Sequence, residues 1–171
     1  MKAEVGRVDI VFANAGYAAA APLGNITEEH VDGLLNTNVK GVIWTVQKAV
    51  PLMGPGGSII LSSSIVGSKG FGNWSIYSAT KAAVDAITKS LAKELGAKKI
   101  RVNSINPGMI ETEGVHAAGI IESDFRKQVE AQTPLGRIGQ PNDVASVATF
   151  LAAADSAWIT GETFLVAGGF R

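Results

Sequence analysis

Short apolar segments alternate along this chain with longer stretches of helical periodicity, and this alternation limits the possible folds more than any other feature of the sequence. The predicted strands are Val8–Ala13, Gly57–Leu61, Ile100–Asn106 and Thr163–Ala167. The predicted helices are Thr27–Val50 with Thr27 as its N-cap, Ala79–Leu95, Asp124–Gln132 and Asn142–Ala154. Short strands joined through helices are typical of a parallel sheet with helices on both faces. The sequence therefore predicts an α/β fold in a single domain over residues 1–171.

Composition excludes several classes of function. The 15 Lys and Arg residues balance the 15 Asp and Glu residues, so we expect no nucleic-acid partner and no binding to a membrane surface. The chain has no cysteine, which excludes disulfides and thiolate nucleophiles. His30 and His116 are expected to be solvated, and with no cysteine and no clustered carboxylates no metal site is predicted. The sequence shows no apolar run of membrane-spanning length and no signal-peptide pattern at its N-terminus, so a cytoplasmic protein is expected.

The strongest candidates for chemistry are Ser64 and the pair Tyr77 and Lys81 in the sequence Tyr-Ser-Ala-Thr-Lys. Ser64 follows a predicted strand, while Tyr77 and Lys81 are four residues apart, which makes them neighbours on a helix. A cation beside a phenol lowers its pKa from about 10, as a general acid/base near neutral pH requires. Taken alone, the pair is also typical of a solvated helix face, and serines after a strand are typical of turns.

Three loops follow the first three predicted strands, and they carry Asn14-Ala15-Gly16, Ser64 and Pro107-Gly108. The carboxyl ends of parallel strands meet at one edge of the sheet, which is where open α/β sheets bind their ligands. Each loop also has a simpler explanation, because Gly16 suits a turn and Pro107 ends a strand. Together they predict a ligand cleft at this edge.

These motifs, in this order, resemble those of the classical short-chain dehydrogenase/reductase family, and the resemblance covers almost the whole chain. It implies a truncated Rossmann-like, doubly wound parallel sheet, which is the C-terminal portion of a dehydrogenase fold. It also implies interconversion of a small secondary alcohol and a ketone with NAD or NADP. The matching segments are Asn14-Ala15-Gly16, Asn38-Val-Lys-Gly41, Ser64, Tyr77 to Lys81, and Asn106-Pro107-Gly108 with Ile110 and Thr112.

The resemblance implies a catalytic role for four residues. Tyr77 would exchange a proton with the substrate oxygen, and Ser64, rather than Ser62 or Ser63, would polarise the carbonyl. Lys81 would lower the pKa of Tyr77 and hold the ribose of the cofactor. Asn38 would anchor a water that relays protons towards Lys81, although a local bond within its helix is an alternative.

The resemblance also implies cofactor contacts and a substrate lid. The segment from Glu111 to Gln132 would cover the substrate, and Trp74 could either line the pocket or lie in a surface loop. The cofactor contacts would be Asn14, Ala15 and Gly16 on the adenosine side and Pro107, Gly108, Ile110 and Thr112 around the nicotinamide.

The first part of the family's fold has no counterpart before Val8. Classical members begin with a strand and a glycine-rich turn that binds pyrophosphate at a helix N-terminus. The residue that selects NAD or NADP belongs to that part, so either cofactor is expected, with weak binding and poor turnover. The first strand would then have an unpaired apolar edge. The sequence could be part of a longer enzyme, which we favour, a short product that dimerises or exchanges elements, or a remnant that no longer binds cofactor.

Two other functions are compatible with the sequence. A non-catalytic module could self-associate, because members of this family commonly form tetramers through the helices that carry Asn38 and Tyr77 and through the last strand. A dimer or tetramer is therefore expected in either case. A hydrolase using Ser64 has weaker support, because no histidine is placed as its base and the pattern Gly-x-Ser-x-Gly is absent.

Overall fold

The computed structural model describes residues 6–117 and 119–170. Its strands are β1 (Val8–Ala13), β2 (Met53–Ser62), β3 (Arg101–Pro107) and β4 (Thr163–Val166). Its α-helices are α1 (Glu28–Leu35), α2 (Gly41–Ala49), α3 (Ser75–Leu95), α4 (Glu113–Ala117), α5 (Asp124–Gln132) and α6 (Pro141–Ala152). The predicted α/β class is confirmed. The short helix α4 was not predicted, since it lies in a segment without clear periodicity.

The described strands form one parallel sheet in the order β1-β2-β3-β4. Helices α2 and α3 pack on one face, where Ile59 and Leu61 are buried. Helix α6 packs on the other face, against Ile60 and Ile105. Successive residues of a strand point to opposite faces, so neighbouring residues of β2 pack against the helices on opposite faces of the sheet. Helices cover both faces, as predicted.

The crossover from β3 to β4 has the opposite hand to the two crossovers before it. All three connections move in the same direction across the sheet, but α6 lies on the face opposite α2 and α3. About 98% of such crossovers share one hand, because the twist of a strand favours it in a compact connection. Here the long segment 108–140 precedes α6 and takes the chain to the other face.

Helices α1 and α2 are joined by a π-helical turn, Asn36–Lys40. The predicted N-cap is confirmed, since the Thr27 side chain accepts a hydrogen bond from the His30 N–H at 3.2 Å. The sequence predicted one regular helix here, and the π turn corrects that prediction. Such turns are frequent at functional sites, and this one contains Asn38, which is 1% exposed.

The sequence Gly54-Pro-Gly-Gly57 is part of β2, so the turn predicted there is wrong. Val8 of β1 pairs with Met53 of β2, and Ile10 pairs with Ser58. The residues between Met53 and Ser58 therefore form an irregularity within the strand. Gly56 has a φ of +88°, a backbone conformation that glycine adopts at low cost.

Strand β1 lies at one edge of the described sheet, as expected for a strand with an unpaired edge. Its Ile10 and Phe12 are 51% and 41% exposed, whereas Val11 and Ala13 are buried. The face of β1 opposite α2 and α3 is thus apolar and open to solvent. In the described part of the chain, no helix has both the length and the hydropathy needed to cross a membrane.

Gly67 generates a testable prediction about packing, because its backbone lies directly against α3. A Cβ atom at Gly67 would lie 2.9 Å from the Ala82 nitrogen and 3.0 Å from the Lys81 carbonyl carbon. We expect Gly67→Ala to lower the free energy of unfolding by about 1–3 kcal/mol, measured by urea denaturation. Gly70→Ala is the matched control, since nothing lies within 4 Å of its Cβ position. Equal effects of the two substitutions would contradict this account of the packing.

Candidate active site

Three consecutive serines at the end of β2 each make a different contact with α3. The Lys81 Nζ donates to the Ser62 carbonyl at 2.9 Å. The Ser63 hydroxyl donates to the Lys81 carbonyl at 3.0 Å. The Ser64 side chain hydrogen-bonds the Tyr77 hydroxyl. The first two serines thus hold α3 against the end of the sheet, and the hydroxyl beside the phenol is that of Ser64.

Burial governs the ionisation of Tyr77 and Lys81. It raises the pKa of Tyr77, and the hydrogen bond from Ser64 offsets only part of this effect. It also lowers the pKa of Lys81 to about 8, against a smaller opposite effect of the Asp85 carboxylate. The prediction that Lys81 lowers the pKa of Tyr77 is therefore wrong for this structure. The Lys81 Nζ lies 5.6 Å from the centroid of the Tyr77 ring and donates to a carbonyl instead.

The side-chain amide of Asn38 connects the loop after β1 to α3. It donates to the Tyr17 carbonyl at 2.9 Å and to the Thr80 hydroxyl at 3.1 Å, and it accepts from the Tyr17 N–H at 3.1 Å. The Thr80 hydroxyl in turn donates to the Tyr77 carbonyl at 2.7 Å. Because both amide hydrogens are used, a water held by Asn38 would have to bind elsewhere on this residue.

Gly16 brings the backbone of the loop after β1 close to Lys81. A Cβ atom at this position would lie 3.1 Å from Asn38 Oδ1 and 3.5 Å from Lys81 Nζ. Asn14, Ala15 and Gly16 are all exposed. The missing side chain leaves an open space beside the ammonium, which a larger residue would fill.

Asp85 belongs to the same site, although the sequence analysis did not single it out. Its carboxylate accepts from the Ser104 hydroxyl at 3.0 Å and from the Asn106 Nδ2 at 2.8 Å. The Asn106 Nδ2 also lies 3.4 Å from the Ser64 carbonyl oxygen. Asp85 is one helical turn after Lys81, and this i,i+4 spacing was a signal that could have revealed it. The network links the end of β3 to both α3 and Ser64.

A cavity of about 180 Å³ lies beside Ser64 and Tyr77, which form part of its wall. Trp74 also lines it from the loop just before α3, where it is half-buried. The Trp74 and Tyr77 rings meet edge to face, with centroids 5.6 Å apart. The predicted lid contributes several of the apolar wall residues, which are Val115, Ile120, Phe125 and Val129.

The four residues expected around a nicotinamide do not all line the same cavity. Gly108 lines the cavity of Ser64 and Tyr77, and Pro107 is the last residue of β3. Ile110 lines a second cavity of about 310 Å³. The Thr112 hydroxyl accepts from the Val115 N–H at 3.4 Å, near the start of α4. The structure therefore does not place Ile110 or Thr112 on the wall of the first cavity.

The two histidines provide no support for a hydrolase. His116 Nε2 lies 3.1 Å from Glu111 Oε1, and the His30 N–H is bonded to the Thr27 cap. The described side-chain bonds of Ser64 are to Tyr77 and to the Val66 N–H. Within the described ranges, no group of three or more His, Asp or Glu side chains could hold a metal ion.

Comparison with known proteins identifies the family. The family described as enoyl-(acyl carrier protein) reductase matches residues 1–171. An uncharacterized oxidoreductase of Methylorubrum extorquens is 45% identical over 168 residues, which are 98% of this chain and 68% of that protein. The chain belongs to the short-chain dehydrogenase/reductase family, whose members are oxidoreductases, and the resemblance seen in the sequence is confirmed.

Solved structures of similar proteins support the same fold. The crystal structure of a short-chain dehydrogenase/reductase (glucose/ribitol dehydrogenase) from Brucella melitensis has a TM-score of 0.93 and 30% identity, and the match covers 99% of this chain and 68% of that chain. The angucycline C-6 ketoreductase LanV with bound NADP has a TM-score of 0.91 and 29% identity, and the match covers 99% of this chain and 65% of that chain. The chain thus spans about two thirds of the length of these relatives, and the Rossmann-like sheet is confirmed.

The Asp85 carboxylate should control the ionisation of Lys81. We expect Asp85→Asn to lower the pKa of Lys81 further below about 8, because the carboxylate favours the charged ammonium. The ammonium would then lose its proton at a lower pH, which NMR titration of the lysine side chains can follow. Glu94→Gln is the matched control, since Glu94 is an exposed carboxylate on the same helix. An unchanged Lys81 midpoint in Asp85→Asn would show that Asp85 has no such influence.

Proposed function

We propose that this chain carries the catalytic centre of an oxidoreductase that interconverts a small secondary alcohol and a ketone with a nicotinamide cofactor. The observation that carries the proposal is the hydrogen bond between the Ser64 side chain and the Tyr77 hydroxyl on the wall of one cavity. Two hydroxyls at this position can both donate to a carbonyl oxygen placed between them.

Tyr77 is the proton donor of the proposed reduction. Its raised pKa keeps the phenol protonated near neutral pH, so the proton is available for the oxygen of a ketone. Ser64 donates a hydrogen bond to the same oxygen and stabilises the negative charge that develops there. In the reverse direction, the phenolate of Tyr77 takes the alcohol proton. A bound nicotinamide cofactor supplies or receives the hydride.

Lys81 and Gly16 fit the ribose of a nicotinamide cofactor. An ammonium has three N–H donors, and the Lys81 Nζ gives one of them to the Ser62 carbonyl. The space left by Gly16 lies next to this ammonium, so hydroxyls placed there could accept from it. NAD and NADP both remain candidates in this proposal, and NADP is bound in the LanV structure.

Self-association is a second candidate function, and exposed apolar side chains favour it. Trp44 on α2 is 56% exposed, Trp158 is fully exposed, and Leu165 on the edge strand β4 is 46% exposed. Large exposed aromatic and aliphatic side chains often mark interaction surfaces. We propose a homo-oligomer, a dimer or a tetramer, which could exist with or without catalysis.

Replacement of Tyr77 tests the proposed chemistry. We expect Tyr77→Phe to lower the turnover of a ketone by about 10²–10⁴-fold, because the variant has no proton to donate. The measurement is the consumption of NADPH or NADH, with cofactor raised until the rate stops increasing. Tyr17→Phe is the matched control, because Tyr17 is the chain's other tyrosine and its side chain is half exposed. Measurable and equal turnover by the two variants would remove Tyr77 from its proposed role.

Cofactor binding and self-association can be separated in solution. The described residues include no glycine-rich turn that opens a helix directly after a strand, so the phosphates would lack their usual N–H donors. We therefore expect the 171-residue chain to bind NADPH and NADH more weakly than micromolar, as measured by cofactor fluorescence. Micromolar binding would contradict this expectation. Sedimentation with and without cofactor then tests the alternative, since assembly that needs no cofactor, combined with no binding, would favour the self-associating module.

A further inference from the structure

The chemistry of the cavity beside Tyr77 points to a class of substrate. We propose that it receives the apolar side of a ketone or secondary alcohol, either one aromatic ring or an alkyl group of similar size. This inference rests on the proposed function, because it assumes that the substrate oxygen lies between Ser64 and Tyr77. The inference goes beyond the proposed function because it assigns the chemical class of the substituent on the carbonyl carbon of the substrate.

The polar groups of the described lining are concentrated on one wall. Ser64, Trp74 and Tyr77 are the lining residues whose side chains carry a hydroxyl or an N–H, while the other lining side chains are apolar and none is a carboxylate, ammonium or guanidinium. A hydroxyl or a charged group of the substrate that pointed away from this wall would lose water without gaining a partner. Sugars, polyols and oxo acids are therefore disfavoured.

The size of the cavity limits the apolar group. Its volume is about 180 Å³, and an apolar protein cavity of about 150 Å³ is known to hold one benzene molecule. One six-membered ring therefore fits, but a fused ring system does not fit entirely. Phe125 lines the cavity while remaining 49% exposed, so it lies at the opening of the cavity. A longer substituent of the substrate would extend into solvent there.

Aromatic side chains make up much of the wall and favour an aromatic ligand. The Trp74 ring contacts the Tyr77 ring edge to face, so the indole stands beside the reacting position. Phe71 and Phe170 form a second pair, with centroids 6.2 Å apart, and the Lys69 Nζ lies 3.6 Å from the Phe170 centroid. Aromatic pairs gain stability from such geometries beyond the area they bury, so a planar ring should bind better than an alkyl chain.

Binding experiments can test the substrate class without turnover. Saturation-transfer NMR and calorimetry would compare 1-phenylethanol with ribitol and 3-hydroxybutanoate, all added to the full chain. We expect 1-phenylethanol to bind at least about tenfold more tightly than either competitor, because each polar group buried without a partner costs about that factor. Ribitol that binds as tightly as 1-phenylethanol would overturn the proposal, as would no detectable binding of 1-phenylethanol.

Two alanines in one loop provide a matched pair of variants. Ala18 lines the cavity and Ala20 does not, and both are exposed, so a larger side chain is tolerated at either position. We expect Ala18→Phe to weaken the binding of 1-phenylethanol by at least about tenfold, and Ala20→Phe by less than about twofold. Equal effects of the two variants would place the ligand outside this cavity and overturn the proposal.

The proposed function and the substrate class can fail separately. If 1-phenylethanol binds as expected but the unmodified chain reduces acetophenone at a measurable rate and Tyr77→Phe reduces it equally fast, the cavity assignment holds and the proposed chemistry is refuted. If Tyr77→Phe is inactive but a polyol ketone is reduced as efficiently as acetophenone, the chemistry holds and the substrate class is refuted.

Discussion

A buried ammonium group at the carboxyl edge of the sheet is the constraint on which the site depends. Lys81 is 5% exposed, and burying a charge is costly unless it is paired and hydrogen-bonded. The Ser62 carbonyl accepts a hydrogen bond from the ammonium, and the Asp85 carboxylate favours its charge. The bond to Ser62, together with the bond from the Ser63 hydroxyl to the Lys81 carbonyl, fixes α3 relative to the end of β2. Since Tyr77 is one turn before Lys81 on this helix, the same contacts also fix the phenol.

The π-helical turn connects the first strand to this arrangement. One residue advances a helix by about 100°, so the extra residue of a π turn rotates the residues after it relative to those before it. In this protein the turn contains Asn38, whose amide bonds both the Tyr17 backbone and Thr80. The loop after β1 is thereby held beside α3, and Gly16 reaches the neighbourhood of Lys81. An irregular helix is thus what brings three separate segments of the chain together.

The sequence predicted those parts of the site that depend on local spacing. Tyr77 and Lys81 are neighbours on a helix because they are four residues apart, and Ser64 lies at the cleft because it follows a strand of a parallel sheet. The contact between Asp85 and Asn106 joins residues 21 positions apart, and no local pattern encodes it. The direction in which the Tyr77 pKa shifts was also predicted wrongly, because burial depends on how distant segments of the chain pack. The π turn was missed because its residues have ordinary helical spacing.

The segment between β3 and α6 links the unusual topology to the choice of substrate. Its length allows the last crossover to reach the opposite face of the sheet, and a single bridge between Ile110 and Gly139 is its described strand-type pairing. Its helix α5 supplies Phe125 and Val129 to the cavity wall, whereas Ser64 and Tyr77 come from elements fixed by the sheet and by Lys81. Substitutions in α5 can therefore change the shape of the cavity without moving the two hydroxyls. The fold thus separates the residues proposed to perform the chemistry, Ser64 and Tyr77, from the helix α5, which is proposed to select the substrate.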